Sequence, residues 1–362
     1  MENQGSSWFE VEHVPESYVF PPDSRPGKLV NAPLCKTFPV IDLQKSSDQD
    51  KTEVIRKILK ASEEFGMFQV GKDFCYIELE LEIKINQRTN RQKLFKWQVV
   101  NHGVSENLMA EAMGIFKEFF HKPAEDKASV INGSGLIYTS STGYAKDGVH
   151  LWRENLKQIC HPLETCMQFS PKKLARYREI VEAYVVELKE LSRTILELIG
   201  QGLGLEPGFF KGISELQLLS ANYYPPCPDP SLTLGILKHC DPSFITILLQ
   251  DVSGLQVVKG QQWVGVEALP NAFLVNIGNQ LQIISNGKLK SPEHRAVTNS
   301  RQTRTSIATF INPAYGCTIE PAKALVNASN PPNYSSFLYK DFVNSNQAFG
   351  IDTAKILKRM SS

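Results

Sequence analysis

The 362-residue chain lacks several things that would have pointed elsewhere. Its seven cysteines (Cys35, Cys75, Cys160, Cys166, Cys227, Cys240 and Cys317) include no Cys-x-x-Cys pair, so neither a zinc knuckle nor a disulfide framework is indicated. Free thiols are expected. Charge of one sign is lacking too: 39 Lys and Arg stand against 38 Asp and Glu, with no long basic run, which argues against a nucleic-acid partner. No apolar run approaches the length of a membrane span, and the opening MENQGSSWFEVEHVPESYVF has no signal-peptide core. The closing KRMSS matches no common lipidation or retrieval signal. These absences lead to the expectation of a cytoplasmic, monomeric protein that acts on a small molecule, with no membrane partner.

What is present divides the chain by texture. Residues 1–36 are rich in proline and polar residues and read as an extended arm. TFPVIDL (Thr37 to Leu43) reads as a short buried strand. Ile55, Ile58, Leu59, Ser62 and Phe65 form a helical stripe that stops at Gly66. A second helix is predicted after Ser105, with Leu108, Met113, Phe116 and Phe120 inward, ending ahead of Pro123. The longest is predicted to open at Ser170 as N-cap with Pro171 in its first turn. From about Gln217, short apolar runs alternate with Pro, Gly and Asn turns, as in a sandwich or jelly roll. The picture is a helical N-terminal half wrapped around a C-terminal β-barrel.

One stretch interrupts this order. FQV at Phe68 to Val70 is nearly repeated by WQVV at Trp97 to Val100, and deleting Val70 to Gln98 would restore GMFQVVNHGV. Between the copies, Ile77, Leu79, Leu81, Ile83 and Ile85 alternate as a strand would, followed by a basic, polar half. The segment reads as a translated intron or as an insertion looped out between two copies of a strand end. On either reading a core strand is expected to be interrupted.

The chemistry centres on LKHCDPSFITILLQD. On a strand, His239 and Asp241 would share a face and present an imidazole beside a carboxylate; the alternative is a surface turn ahead of a core strand. His294, in KSPEHRAVTN, opens another short strand after a proline turn. Two histidines and a carboxylate leave three positions of an octahedral ion open, which suits non-haem Fe(II), although zinc accepts the same ligands. Arg304 and Ser306, in RQTRTSIATF, share a face with Ala308 and Phe310, which implies a buried guanidinium in need of an anion. Arginine beside a hydroxyl suits a carboxylate. A metal with open positions next to a carboxylate grip describes a site for a 2-oxo acid. Asn222 and Tyr224, in ANYYPPCP, offer further hydrogen-bonding groups, and Cys240, Phe310 and residues of YTSSTGYAKDGVHLW would line the barrel mouth. His102 reads as a turn residue; His13, His121, His150 and His161 read as surface or capping groups.

Together, HCD, SPEHRAV, RTS and NYYPPCPDP resemble the plant 2-oxoglutarate- and Fe(II)-dependent dioxygenases. PESYVFPPDSRPG, PVIDL, NHGVS and NPPNYSSFLYKDFV extend the likeness almost end to end, and NYYPPCPDPS and CTIEPAK are similar to the hyoscyamine 6β-hydroxylase-like branch. The resemblance implies an α+β, mainly β fold: a double-stranded β-helix (jelly roll, cupin-like) over 210–315, with N-terminal and flanking helices. A dioxygenase N-terminal region over 37–140 and a C-terminal segment over 316–362 would complete it. It also implies that His239, Asp241 and His294 hold Fe(II), and that Arg304 and Ser306 take the distal carboxylate of 2-oxoglutarate, with Tyr224 and Asn222 assisting. O₂ would be consumed, ascorbate would support turnover, and a small plant specialised metabolite would be hydroxylated with release of succinate and CO₂. Desaturation, ring closure, or a ligand-binding homologue impaired by the 70–98 segment are the alternatives.

Overall fold

The alternating runs become strands wherever two faces can be buried. The computed structural model describes residues 11–43, 50–71, 102–128, 135–141, 145–146, 148–166, 168, 170–171 and 173–349. Ahead of the barrel proper run β1 (Val40–Ile41), β2 (Met67–Val70), β3 (Leu136–Thr139), β4 (Ala145–Lys146), β5 (Val149–His150) and β6 (Glu154–Ile159). The barrel continues with β7 (Leu216–Tyr224), β8 (Ile236–His239), β9 (Ile245–Gln250), β10 (Leu255–Lys259) and β11 (Gln262–Val266). It closes with β12 (Phe273–Ile277), β13 (His294–Ala296) and β14 (Arg304–Asn312). The large sheet has the order β1-β2-β12-β9-β14-β7-β6-β3 and the small one β11-β10-β13-β8.

Both faces of the large sheet are covered, for different reasons. Its inner face meets the small sheet: Met67, Leu248, Leu274 and Ala308 pack on Leu255, Val257 and Val266 in one cluster, giving the double-stranded β-helix. On its outer face, Leu219, Ile247, Val275 and Ile307 belong to a larger core shared with helices α1 (Lys51–Glu64) and α2 (Glu106–Phe120). Beyond the short α3 (Ala124–Ala128) and α4 (Leu163–Cys166), α5 (Tyr177–Leu203) joins that layer through Tyr184, Leu188 and Ile195. Each such fully buried side chain contributes about 1.5–3 kcal/mol. Among the described residues, no helix is long and apolar enough to cross a membrane.

The helix ends follow local chemistry with one exception. Ser105 caps α2 by accepting from the Leu108 N–H, and α5 stops at Gly204, whose φ of 73° is the left-handed conformation glycine tolerates. Gly66 ends α1 in the same way (φ 68°), and a Cβ there would lie 2.4 Å from the Lys290 carbonyl oxygen. Ser170, however, is not the cap of α5, which begins at Tyr177. Leu174 N–H bonds Pro171 O and Tyr177 N–H bonds Leu174 O in i+3 turns instead, and the helix starts where Tyr177, Ile180 and Val181 reach the core. Tertiary burial overrides the capping signal.

The strand β2 ends at Val70, where the expected interruption falls. The first copy, Met67–Val70, is fully buried, pairs in parallel with β1, and pairs antiparallel with β12 from Phe273↔Val70 to Asn276↔Met67. The second copy, Trp97 to Val100, lies outside the described residues. Gly71 and His102 rest on one turn: a Cβ on Gly71 would lie 3.0 Å from the Ala272 Cβ, and His102 Nε2 is 3.1 Å from the Asn271 carbonyl oxygen. Gly71 and His102 therefore lie against the same turn, Asn271–Ala272.

Candidate active site

His239 is the last residue of β8, and a bulge in the pairing with β13 lies just before it: His294↔His239 and Ala296↔Ile236 leave an extra residue on β8. Bulges of this kind re-aim a side chain at a strand end. The strand expected to carry both members of the H-x-D pair carries only the first. Asp241 sits in the turn beyond it, because Pro242 has no N–H to extend the ladder. The Asp241 carbonyl accepts from Asn279 N–H at 2.8 Å, where helix α6 (Asn279–Ile284) begins. Gly278 permits this approach, since a Cβ there would fall 2.0 Å from the Ser243 carbonyl oxygen.

His294 opens β13 as expected, and the three side chains converge. His239 Nε2 and His294 Nε2 each lie 3.6 Å from Asp241 Oδ1. Each Nδ1 faces a backbone carbonyl, Leu237 O at 2.8 Å and Pro292 O at 3.0 Å. A carbonyl can only accept, so both Nδ1 atoms carry the proton and both Nε2 atoms present lone pairs to one point. Asp241 is 2% exposed, and its Oδ2 accepts from Asn276 Nδ2 at 2.9 Å, leaving Oδ1 aimed at the same point. Burial pushes the Asp241 carboxyl up, but the two imidazoles and bonds from Asn276 and Thr246 outweigh it and hold it below the usual range. Burial first, then the neighbouring His294, pushes His239 down to about 4. Two imidazole nitrogens and one carboxylate oxygen thus converge on one point, and among the described residues this is the only such cluster. Two imidazoles and a carboxylate fit Fe(II) with open positions.

Arg304 opens β14, paired in register with Tyr224, while Ser306 pairs with Asn222 on β7 and Gln250 on β9. All stand on the inner face. Arg304 is 2% exposed; its Nε donates to Val252 O at 3.0 Å, one terminal nitrogen donates to Gln250 Oε1 at 2.9 Å, and its guanidinium lies 4.9 Å from the Tyr224 ring centroid. The other terminal nitrogen, Nη1, has no hydrogen-bond partner among the described residues. A buried charged donor left unmatched costs about 1–3 kcal/mol or more, which an arriving carboxylate would recover. The unmatched donor is suited to a carboxylate. Tyr224, expected as a hydrogen-bonding group, supports the guanidinium with its ring.

The other expected residues have more specific surroundings than the sequence suggested. Asn222 Oδ1 accepts from Arg153 Nη1 at 2.9 Å and from Asn155 Nδ2 at 3.0 Å. Cys240 is buried between the two ligand-type residues and directs its thiol to Ser291 O at 3.5 Å. Phe310 is half-buried on the inner face opposite Thr246 and packs on the inter-sheet cluster. His102 is a buried turn residue: Val104 N–H donates to its Nδ1, and its ring packs on Phe273. His121 Nδ1 bonds the Lys117 carbonyl at the C-terminal end of α2. Asn276, Gln250 and Arg153 were not anticipated. The available signal was a lone polar residue in an apolar run, which must find a partner if buried.

Comparison with known proteins agrees with this geometry. Residues 216–313 match the 2OG-Fe(II) oxygenase superfamily, and residues 96–176 match the family described as non-haem dioxygenase in morphine synthesis N-terminal. Hyoscyamine 6-dioxygenase of Hyoscyamus niger is 37% identical over 353 residues, covering 93% of this chain and 92% of that protein. 2′-Deoxymugineic-acid 2′-dioxygenase of Hordeum vulgare is 36% identical over 343 residues, covering 91% and 89%. The crystal structure of JOX2 in complex with 2OG, Fe and JA is similar with a TM-score of 0.76 at 32% identity, over 93% of this chain and 90% of that one. Identity at this level along nearly the whole length carries the assignment: the chain belongs to the 2OG-Fe(II) oxygenase superfamily and is a dioxygenase that uses Fe(II) and 2-oxoglutarate.

Proposed function

We propose that the protein hydroxylates a small plant specialised metabolite, consuming O₂ and 2-oxoglutarate and releasing succinate and CO₂. In this reading His239, Asp241 and His294 hold Fe(II), and Arg304 and Ser306 take the distal carboxylate of 2-oxoglutarate. The single observation that carries it is that both histidine Nε2 atoms approach the same Asp241 oxygen, 3.6 Å from each, while the buried Arg304 keeps an unmatched donor. When bound, the iron supplies O₂ activation coupled to decarboxylation of the 2-oxo acid.

The chain's own residues do the rest by position. The carbonyls of Leu237 and Pro292 fix both imidazole tautomers and ring planes, and Asn276 fixes the carboxylate. Arg304, braced by Gln250, Val252 and the Tyr224 ring, orients the cosubstrate from its far end. The apolar inter-sheet cluster keeps bulk water from that end of the barrel. The pairing of Met67–Val70 with β12 supports an active enzyme over a disabled binding homologue. Relatives named for dioxygenation of hyoscyamine and of 2′-deoxymugineic acid support a small-molecule substrate. The protein is read as a cytoplasmic monomer, and the balanced charge supports the absence of a nucleic-acid partner.

The test is succinate release from 2-oxoglutarate with Fe(II) and ascorbate, followed by a mass-spectrometric substrate screen. A product heavier by one oxygen is the expected outcome. Loss of two hydrogens would instead identify a desaturase or ring-forming enzyme, and no 2-oxoglutarate turnover by folded, iron-loaded protein would overturn the reading.

A further inference from the structure

Arg304 is packed between two walls, and each wall has room for it only because of a glycine. The sheet order β9-β14-β7 puts the turn that leaves β9 on one side of it and Tyr224 on the other. On the turn side, Asp251 is fastened to β14: its Oδ1 accepts from Thr305 N–H at 2.8 Å, and its N–H donates to Thr305 O at 3.2 Å. Gln250 and Val252, flanking Asp251, hold the guanidinium. Gly254 then passes so close that a Cβ there would lie 2.7 Å from Arg304 Cδ and 3.1 Å from its Nε. On the other side, a Cβ on Gly235 would lie 2.5 Å from Tyr224 Cδ1. Neither glycine has a positive φ, so the close neighbour, and not backbone freedom, calls for glycine at both places. Both are also tied to the end of β13, the strand that opens with His294: Val297 N–H donates to Gly254 O at 2.9 Å, and Gly235 N–H donates to Ala296 O at 3.0 Å.

We propose that Gly254 and Gly235 are specificity positions that fix the length of the 2-oxo acid the enzyme accepts. The proposal rests on the dioxygenase reading above and deepens it. A 2-oxo dicarboxylic acid held by the metal at one end and by Arg304 at the other must match the span between them. That span depends on where the guanidinium is seated relative to β13, which carries His294 and to which both glycines are bonded. Arg304 and Tyr224 are each 2% exposed, so neither can swing into solvent to make room for a methyl group. A methyl at Gly254 would press on a stem whose Nε and one terminal nitrogen are already bonded. Relief requires giving up those bonds, and the guanidinium then has no single place. A methyl at Gly235 would displace the ring that lies 4.9 Å from the guanidinium.

The test is binding, not turnover. Fe(II)-loaded protein under anaerobic conditions is titrated with 2-oxoglutarate, with oxaloacetate, one methylene shorter, and with 2-oxoadipate, one methylene longer. Wild-type protein is expected to bind 2-oxoglutarate about tenfold or more tightly than either neighbour. Gly254→Ala is expected to weaken 2-oxoglutarate most, bringing the acids to within about threefold of one another, with Fe(II) affinity unchanged. Gly235→Ala is expected to shift the preference in the same direction and decides the matter if Gly254→Ala does not fold. In Arg304→Lys, which lacks the bonded guanidinium, adding Gly254→Ala is expected to change 2-oxoglutarate affinity by less than about twofold. The proposal is overturned if wild-type protein binds the acids alike, or if the preference survives in a folded alanine variant. It is also overturned if Fe(II) affinity falls together with that for 2-oxoglutarate, or if the added methyl costs as much beside Lys as beside Arg, since either would mark a purely structural glycine. Failure of wild-type protein to bind any of these acids with Fe(II) would instead remove the dioxygenase reading. Binding without a preference for length removes only the role given to the two glycines.

Discussion

Replacing Arg304 by methionine keeps the length of the side chain and removes its charge and donors. The structure sets two costs. In the free protein, Val252 O and Gln250 Oε1 lose the donors that now reach them at 3.0 and 2.9 Å. Each buried acceptor left unmatched costs about 1–3 kcal/mol, partly offset by the apolar replacement, so a net loss of about 2 kcal/mol and a melting point lower by a few degrees is expected. In the complex, the distal carboxylate loses a buried charge partner, which costs about 3–5 kcal/mol. At 1.4 kcal/mol per tenfold, 2-oxoglutarate should bind roughly 10²- to 10³-fold more weakly. Calorimetric titration of 2-oxoglutarate into anaerobic, Fe(II)-loaded protein measures this directly. Iron affinity should stay near wild type, because the ligands are braced by Asn276 and backbone carbonyls and not by Arg304. A variant that binds 2-oxoglutarate within threefold of wild type would refute the reasoning, and Arg304→Lys should fall between the two.

Asn276→Ala removes the bond to Asp241 Oδ2 and should weaken Fe(II) binding about 10- to 100-fold; unchanged iron affinity would show that the carboxylate needs no brace. Acid should destabilise the metal-free protein. The folded pKa of His239, about 4, lies below its ordinary value of about 6.5, so its contribution is present above pH 6.5 and is lost as pH falls through about 4, to a total of about 3 kcal/mol. Denaturant midpoints between pH 7 and 4 measure this slope, and a profile no flatter in His239→Gln would contradict it. Deleting Val70 to Gln98 joins Gln69 to Val99 at the turn where Gly71 and His102 meet. The shortened chain should fold, bind iron and gain up to about 3 kcal/mol of loop-closure entropy, with an unfolded or iron-free product as the refuting result.

Much of this was legible because the relevant signals are local. Alternation marked β7, β9, β12 and β14; Ser105 and Gly66 marked helix ends; the two-residue spacing of Arg304 and Ser306 announced a shared face that the register bears out. The misses share a cause, in that they depend on contacts far along the chain. The start of α5 is set by where Tyr177 meets the core, so Ser170 with Pro171 looked like a cap and was not. Asp241 left the strand because its turn is anchored to Asn279 and Asn276, residues with no visible link to it in the sequence. Arg153 drew no reading, since its partner Asn222 lies on another strand. The near-repeat after Val70 suggested a broken strand, whereas pairing partners on both sides settle the first copy into the sheet.

The account stands or falls on the triad. Iron bound per chain, measured at equilibrium for folded wild-type protein and for Asp241→Ala, is the most direct test. The expected result is one Fe(II) per wild-type chain and none retained by the variant, whose two histidines have lost the oxygen they share. Wild-type stoichiometry in folded Asp241→Ala would show that the iron lies elsewhere and would contradict the site described for His239, Asp241 and His294.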